Sequence, residues 1–226
     1  MKNPVQKFAI VMAAGKGLRM GTALPKQFLL LKGKPLLMHT MSAFYKADAE
    51  TQLILVLPAN QRDYWKFLCK EYEFTVPHQL IAGGDCRFDS VRNGLSLAGD
   101  KGLIAIHDGV RPLVSPELIN RCFQAARKYG AVVPVTPVIE SLRKVEGSLS
   151  HAESRSDYRL VQTPQVFKAA LIQTAYRKAI GNDFTDDASV AEAAGIPVQL
   201  VEGERTNLKI TEAIDLQLAE LFFKNE

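Results

Sequence analysis

The chain has 226 residues, 47% of them hydrophobic, enough for one domain (1–226) with a substantial core. With 28 basic and 24 acidic residues the net charge is +4, and the cations form no block, which argues against a nucleic-acid surface and for small anionic partners. Cys69, Cys86 and Cys122 have neither a zinc spacing nor an even disulfide framework, no apolar run approaches the ~20 residues of a membrane span, and no charged leader is present. A soluble, cytoplasmic protein with reduced thiols and no membrane partner is expected.

Phe8-Ala9-Ile10-Val11-Met12 is a short, continuous apolar run of the kind that forms a strand covered on both faces. It leads into Ala13-Ala14-Gly15-Lys16-Gly17-Leu18-Arg19-Met20-Gly21, which Pro25-Lys26-Gln27 closes. Glycines let main-chain N–H groups approach anionic oxygens, and Arg19 and Lys26 supply countercharge, so the segment reads as a triphosphate cradle. Two familiar glycine loops fit badly. Met20 stands where a dinucleotide fingerprint needs its third glycine, and Met20-Gly21-Thr22 stands where a P-loop needs Gly-Lys-Ser/Thr. The open alternative is a plain strand-to-helix turn with solvated cations.

Beyond this loop, apolar runs at 53–57, 103–106 and 131–135 alternate with helix-period segments at 35–47, 60–72, 88–98 and 116–129. That rhythm predicts an α/β, Rossmann-like fold, a mainly parallel sheet with helices on both faces. At 116–129 Ser115 is the expected cap, Pro116 suits the first helical position, Leu118, Ile119, Cys122, Phe123 and Ala126 form one stripe, and Gly130 ends the helix. Residues 136–163 break the pattern as a protruding β-arm, with Gly147-Ser148 turning between 142–146 and 149–153. An arm with so little core gains stability on a partner, so a homodimer is expected, a flexible excursion being the alternative. Near the end, Thr211 is read as a cap and Ile210, Ile214, Leu218, Leu221 and Phe222 as the core-facing stripe of a last helix.

In an open parallel sheet, ligands collect beyond the carboxyl ends of the strands. The loaded loops there are the cradle, Gly83-Gly84-Asp85-Cys86-Arg87-Phe88-Asp89-Ser90 after the third strand, and His107-Asp108-Gly109-Val110-Arg111-Pro112 after the fourth; Asn207-Leu208-Lys209-Ile210 precedes the last helix. Asp108 is placed to hold magnesium, which needs only one or two carboxylates when phosphate oxygens and water complete its shell; a turn or helix cap is the alternative. His107 has no ligand partner at metal spacing and reads as a buried hydrogen-bonding residue. Gly83-Gly84 would bring main-chain groups to a nucleobase edge, with Ser90 adding one discriminating hydrogen bond. The alternative is a turn with a capping serine, with Asp85 and Arg87 as an exposed ion pair.

Those motifs, together with Gln162-Thr163-Pro164-Gln165-Val166-Phe167, Thr185-Asp186-Asp187-Ala188-Ser189 and Asn207-Leu208-Lys209-Ile210-Thr211, form a highly specific ordered set. On them the chain resembles the 2-C-methyl-D-erythritol 4-phosphate cytidylyltransferase family of non-mevalonate isoprenoid biosynthesis, from residue 8 to about 222. The resemblance implies the nucleotide-diphospho-sugar transferase type of fold. It also implies a dimeric, magnesium-dependent enzyme that joins CTP to a polyol phosphate and releases pyrophosphate.

By the same resemblance, Arg19 and Lys26 stabilise charge at the α-phosphorus, an ion on Asp108 bridges the CTP phosphates, and Lys209 and Arg155 steer the acceptor, Arg155 reaching the neighbouring subunit's pocket. Ala13, Ala14, Gly15, Gly17, Gly84, Asp85, Ser90 and Gly109 would surround the nucleotide, while Asp108, Arg111, Ser141 and Thr163 would face the polyol phosphate. Glu140-Ser141-Leu142-Arg143 stands where the family has Asp-Thr followed two residues later by Lys. Serine keeps the hydroxyl, but the changed reach of its neighbours leaves ribitol 5-phosphate as an alternative acceptor. A nucleotide-cofactor oxidoreductase and a nucleotide sensor are the more remote alternatives.

Overall fold

The computed structural model describes residues 5–15 and 24–223. Strand β1 (Lys7–Met12) is followed by a small hairpin, β2 (Leu30–Leu31) and β3 (Lys34–Pro35), then α1 (Leu36–Ala47), β4 (Gln52–Leu57), α2 (Arg62–Glu71), β5 (Gln79–Ala82) and α3 (Arg87–Leu95). Next come β6 (Leu103–Asp108), α4 (Pro116–Tyr129), β7 (Ala131–Pro137) and the hairpin β8 (Leu142–Glu146) and β9 (Leu149–Glu153). The chain closes with β10 (Arg159–Val161), β11 (Gln165–Lys168), α5 (Ala169–Lys178), α6 (Asp187–Ala193), β12 (Gln199–Glu202) and α7 (Ala213–Phe222).

Among the described residues the main sheet has eight strands in the order β10-β7-β11-β6-β1-β4-β5, with β12 also paired to β7. β1 runs parallel to both β4 and β6, whereas β11 is antiparallel to β6 and β7 on either side of it. The path therefore moves from β1 outward through β4 and β5, then returns to the opposite side of β1 as β6. A crevice opens at such a reversal, beyond the carboxyl ends of β1 and β6.

The continuous apolar runs follow from coverage on both faces. Ala9 and Val11 pack with Phe44 of α1, Trp65 of α2 and Cys122 of α4, while Phe8 and Ile10 pack with Val91 of α3, Ile172 of α5 and Val190 of α6. The α4 expectations hold in detail: Ser115 Oγ accepts the Leu118 N–H at 3.0 Å, and Gly130 ends the helix at φ +96°. Burial pushes the Cys122 thiol up to about 12, as suits a small apolar core residue.

Several features differ from the sequence reading. β5 carries only three apolar residues at the sheet edge, and β11 is a four-residue antiparallel wedge, both too short to register as periodic segments. The arm is narrower than 136–163, because β7 extends to Pro137 and β10 pairs Val161 with Val135, so only residues 138–158 leave the main sheet. Its hairpin has the expected strands, with Glu146 opposite Leu149 and Gly147 at φ +62° in the turn.

The last helix is also corrected. Glu212, not Thr211, is its cap, and Asp215 accepts from the Thr211 N–H, the Thr211 hydroxyl and the Glu212 N–H. Ile214, Leu218, Leu221 and Phe222 lie at the surface rather than in the core; α7 packs through Ala219 and Leu216 beside Ile210 and Leu31. A helical period shows that a face is apolar but does not choose which face meets the sheet, and small Ala219 permits the closer approach.

One backbone position admits only glycine. Gly102, at φ +90°, immediately precedes β6, and an added Cβ would lie 2.1 Å from the Gln6 carbonyl oxygen that accepts the Leu103 N–H. Gly102→Ala is expected to cost about 2–3 kcal/mol, combining strain with a backbone clash, which urea unfolding measures directly.

Candidate active site

The crevice is built from strand ends that cannot be covered by helices. Past the last residue of β1, the Ala13 N–H donates to the Val56 carbonyl, the Gly83 N–H to Leu57 and the Gly109 N–H to Met12, so the β1, β5 and β6 loops leave the sheet side by side. A Cβ on Gly83 would lie 2.6 Å from the Ala14 Cβ and 3.0 Å from Ser90 Oγ, and one on Gly109 would lie 3.2 Å from the Ala13 Cβ. Ala13, Ala14, Ser90 and Gly109 are thereby brought together, as the sequence predicts. At Gly15 an added Cβ meets nothing within 4 Å among the described residues. Gly17 and Arg19 lie outside the described residues.

Ser90 is not a cap: α3 begins after Cys86, and the buried Ser90 hydroxyl accepts the Gly84 N–H at 3.0 Å, shaping the loop from within. Gly84 and Asp85 are exposed beside it. The alternative of an exposed Asp85–Arg87 ion pair gives way to a bidentate pair between Arg87 and Asp187, 100 residues away. Proximity in sequence suggested the first partner; the approach of α6 to α3 supplies a buried and better oriented one.

The far end of the cradle is held by a residue that the sequence reading gave no role. Gln27 is buried, and its amide donates both to the Ala13 carbonyl at 3.1 Å and to Gln61 Oε1 at 2.7 Å, tying the return of the loop to its start. Lys26 begins the 3-10 turn Lys26–Phe28, and its charge acts on Asp215 at the start of α7.

Beside the β6 end lies a cavity of about 310 Å³ whose lining includes Arg87, Asp108, Arg111, Thr163, Thr185 and Lys209. Asp108 Oδ2 meets Lys209 Nζ at 3.1 Å and Arg111 Nε at 3.3 Å, and the Asp108 side chain is only 13% exposed. Burial alone would push its carboxyl up, but the charges of Lys209, Arg111 and Arg87 outweigh this and hold it well below the usual carboxylate range. Arg111 is itself fixed by donating to the Asn207 carbonyl at 2.7 Å.

Thr163 joins this group from the segment between β10 and β11. Its hydroxyl oxygen accepts the Asp108 N–H at 3.1 Å and lies 3.0 Å from His107 Nδ1. Burial pulls the His107 imidazole down to about 3, so it is neutral; its Nδ1 shares a hydrogen bond with the Thr163 hydroxyl, and its Nε2 faces the Arg111 carbonyl. His107 is thus the buried hydrogen-bonding residue the sequence predicts. Ser141 and Arg155, by contrast, are exposed on the arm and do not line this cavity, and Arg155 donates to the Ile139 carbonyl.

A sheet reversal flanked by a glycine-lined loop on one side and a cation-lined cavity on the other defines an α/β nucleotidyltransferase. A family model described as IspD, 2-C-methyl-D-erythritol 4-phosphate cytidylyltransferase, matches residues 7–225. The chain belongs to that family. It is 52% identical over 214 residues to the enzyme of that name from Bacteroides thetaiotaomicron, covering 95% of this chain and 98% of the relative. It is 54% identical over 211 residues to that of Bacteroides fragilis, with 93% and 96% covered. The crystal structure of the enzyme of that name from Thermus thermophilus superposes with a TM-score of 0.79 at 35% identity, covering 96% of this chain and 98% of the other.

Removing the Thr163 hydroxyl while keeping its shape leaves the Asp108 N–H and His107 Nδ1 without this partner. Thr163→Val is expected to lose about 1–2 kcal/mol of stability and to lower turnover, and Thr163→Ser to restore both, as denaturant unfolding and steady-state kinetics would show.

Proposed function

We propose that the enzyme transfers the cytidylyl group of CTP to the phosphate of 2-C-methyl-D-erythritol 4-phosphate, giving 4-diphosphocytidyl-2-C-methyl-D-erythritol and pyrophosphate. The observation that carries this reading is the adjacency of two chemically different pockets at one sheet reversal. Ala13, Ala14, Ser90 and Gly109 form a close-packed, uncharged wall, and Lys209, Arg111 and Arg87 gather around Asp108. Family membership sets aside the oxidoreductase and sensor alternatives, and the relatives' names favour methylerythritol phosphate over ribitol phosphate.

The residues present require little proton chemistry. The second pKa of a phosphate monoester is about 6, so the nucleophilic oxygen is largely ionised at neutral pH and no general base is needed. One bond forms, from that oxygen to the α-phosphorus, and one breaks, from the α-phosphorus to the oxygen of departing pyrophosphate, which keeps the electron pair. Lys209 and Arg111 draw the acceptor phosphate to the cavity, Thr163 fixes the Asp108 main chain beside it, and Lys26 with Arg19 neutralises charge growing at the α-phosphate.

Magnesium fits this site. Asp108 offers an ionised, acceptor-only carboxylate, and among the described residues no cluster of three or more His, Cys, Asp or Glu could cage a metal alone, which suits an ion shared with substrate phosphates. Bound there, it would supply further charge neutralisation on the triphosphate.

The arm supports a homodimer. Val145 and Leu149 are 70% and 76% exposed on the hairpin, and Ser141 and Arg155 have no place in their own chain's cavity, so a partner's cavity is the destination we assign them. No described helix is long and apolar enough to cross a membrane, and the free thiols of Cys69, Cys86 and Cys122 suit a reduced cytoplasmic setting.

Radiolabelled CTP with magnesium is expected to give a cytidylylated product with methylerythritol phosphate and none with ribitol phosphate; the reverse result would overturn the acceptor assignment. In the same assay Lys209→Ala is expected to lower turnover by about 10²–10³-fold, as loss of one preorganised cation does. Mixing Arg155→Ala with Lys26→Ala protein is expected to recover activity, because one site of each mixed dimer then has both groups intact. Verified mixed dimers without recovery would show that the arm serves its own chain.

A further inference from the structure

One buried charge beside the cavity has no part in the chemistry so far. Asp187, the first residue of α6, is fully buried; Arg87 donates to both its oxygens, Nη1 to Oδ1 at 2.8 Å and Nη2 to Oδ2 at 2.6 Å. The Tyr176 hydroxyl also donates to Oδ1, at 2.7 Å. Removing a carboxylate from water is costly, and a buried ion pair is often no more stabilising than an apolar replacement. What a two-point guanidinium fork adds is geometry, since it fixes both separation and orientation.

The pair joins two particular places. Arg87 opens α3 directly after the Gly83–Cys86 loop that faces Ala14, and its own side chain lines the acceptor cavity. Asp187 follows Thr185 and Asp186, which line the same cavity. The α6 end is held independently: Gln165 Oε1 accepts the Asp187 and Ala188 N–H groups at 3.0 and 2.8 Å, and its amide donates to Asp186 Oδ2 at 2.8 Å. On the α3 side, the Phe88 ring stacks on Tyr176 with centroids 4.7 Å apart. The Arg87–Asp187 pair runs directly from the end of the nucleotide loop to the acceptor wall, and Tyr176 bridges the same two parts by stacking on Phe88 and donating to Asp187.

We propose that Arg87 and Asp187 form a positioning pair that sets the distance and angle between the nucleotide loop and the wall of the acceptor cavity, and so aligns the acceptor oxygen with the α-phosphorus. This rests on the reading of the two pockets given above. The pair touches neither reacting atom. Its loss therefore leaves CTP able to bind and disturbs the alignment of the acceptor with it, the quantity to which transfer is most sensitive.

Two variants test this with CTP, magnesium and methylerythritol phosphate. Arg87→Lys keeps the charge and removes the fork; Arg87→Met combined with Asp187→Asn removes both charges and leaves Tyr176 an acceptor, so no buried charge is orphaned. For each variant that thermal unfolding shows to be folded, CTP affinity without acceptor is expected to stay within about threefold of the parent while kcat falls about 10–100-fold, the scale of a misalignment near 1 Å. Folded variants that turn over at the parental rate, with only the melting temperature lowered, would reduce the pair to a structural role. Weakened CTP binding with parental kcat would overturn the proposal as well. Lys209→Ala separates this failure from failure of the site reading: if it is impaired as expected while the Arg87 variants are not, only the positioning pair is refuted.

Discussion

The Asp108 carboxylate is the point about which the site is organised. It sits at the end of a strand buried on both faces, with little solvent to stabilise its charge, and Lys209 and Arg111 hold it ionised at 3.1 and 3.3 Å. Each of those cations comes from a segment that must be correctly placed for the carboxylate to be tolerated. Arg111 is fixed through the Asn207 carbonyl, and Thr163 takes the Asp108 N–H. A like-charged cluster of this size would repel itself without the acid, so Asp108 allows the cavity to hold several cations before any phosphate arrives.

The sheet decides where this cluster can form. With helices covering both faces, polar groups are confined to the strand ends, and the reversal at β1 opens a crevice between the β5 and β6 loops. Alternation along the run beyond Met12 places Ala13 with one face of the core and Ala14 with the other. Consecutive small residues can therefore meet Gly109 on one side and Gly83 on the other. Any larger side chain at these contacts would part the loops whose spacing the transfer requires.

The two halves of the site differ in how they are held. The nucleotide side is shaped by glycine and alanine contacts and by internal hydrogen bonds such as Gly84 N–H to Ser90. The acceptor side depends on long-range polar links, Arg87 to Asp187 and Gln165 to the start of α6. Ser141 and Arg155 are exposed on the arm and outside the lining of the acceptor cavity, and the function proposed gives them a role through a second subunit.

Much of the scaffold was legible in the sequence because it is local. Periodicity marked β1, β4, β6, β7 and the four helices α1 to α4, and Ser115 and Gly130 bounded α4 through contacts within a few residues. The ordered motifs likewise singled out Ala13, Ala14, Ser90 and Gly109, which the structure packs around the glycine loops, and Asp108, Arg111, Thr163 and Lys209, which line one cavity. β5 was placed only by the loaded loop that follows it and β11 escaped, because strands of four residues display no period. Only the tertiary structure decided that Arg87 pairs with Asp187 rather than Asp85, that Gln27 reaches Ala13, that Thr163 links His107 to Asp108, and that α7 turns Ile214 and Leu221 outward. A sequence specifies which groups need a partner through their charge or apolarity; which partner they meet depends on how distant segments cross, and that is set by the packing of the whole sheet.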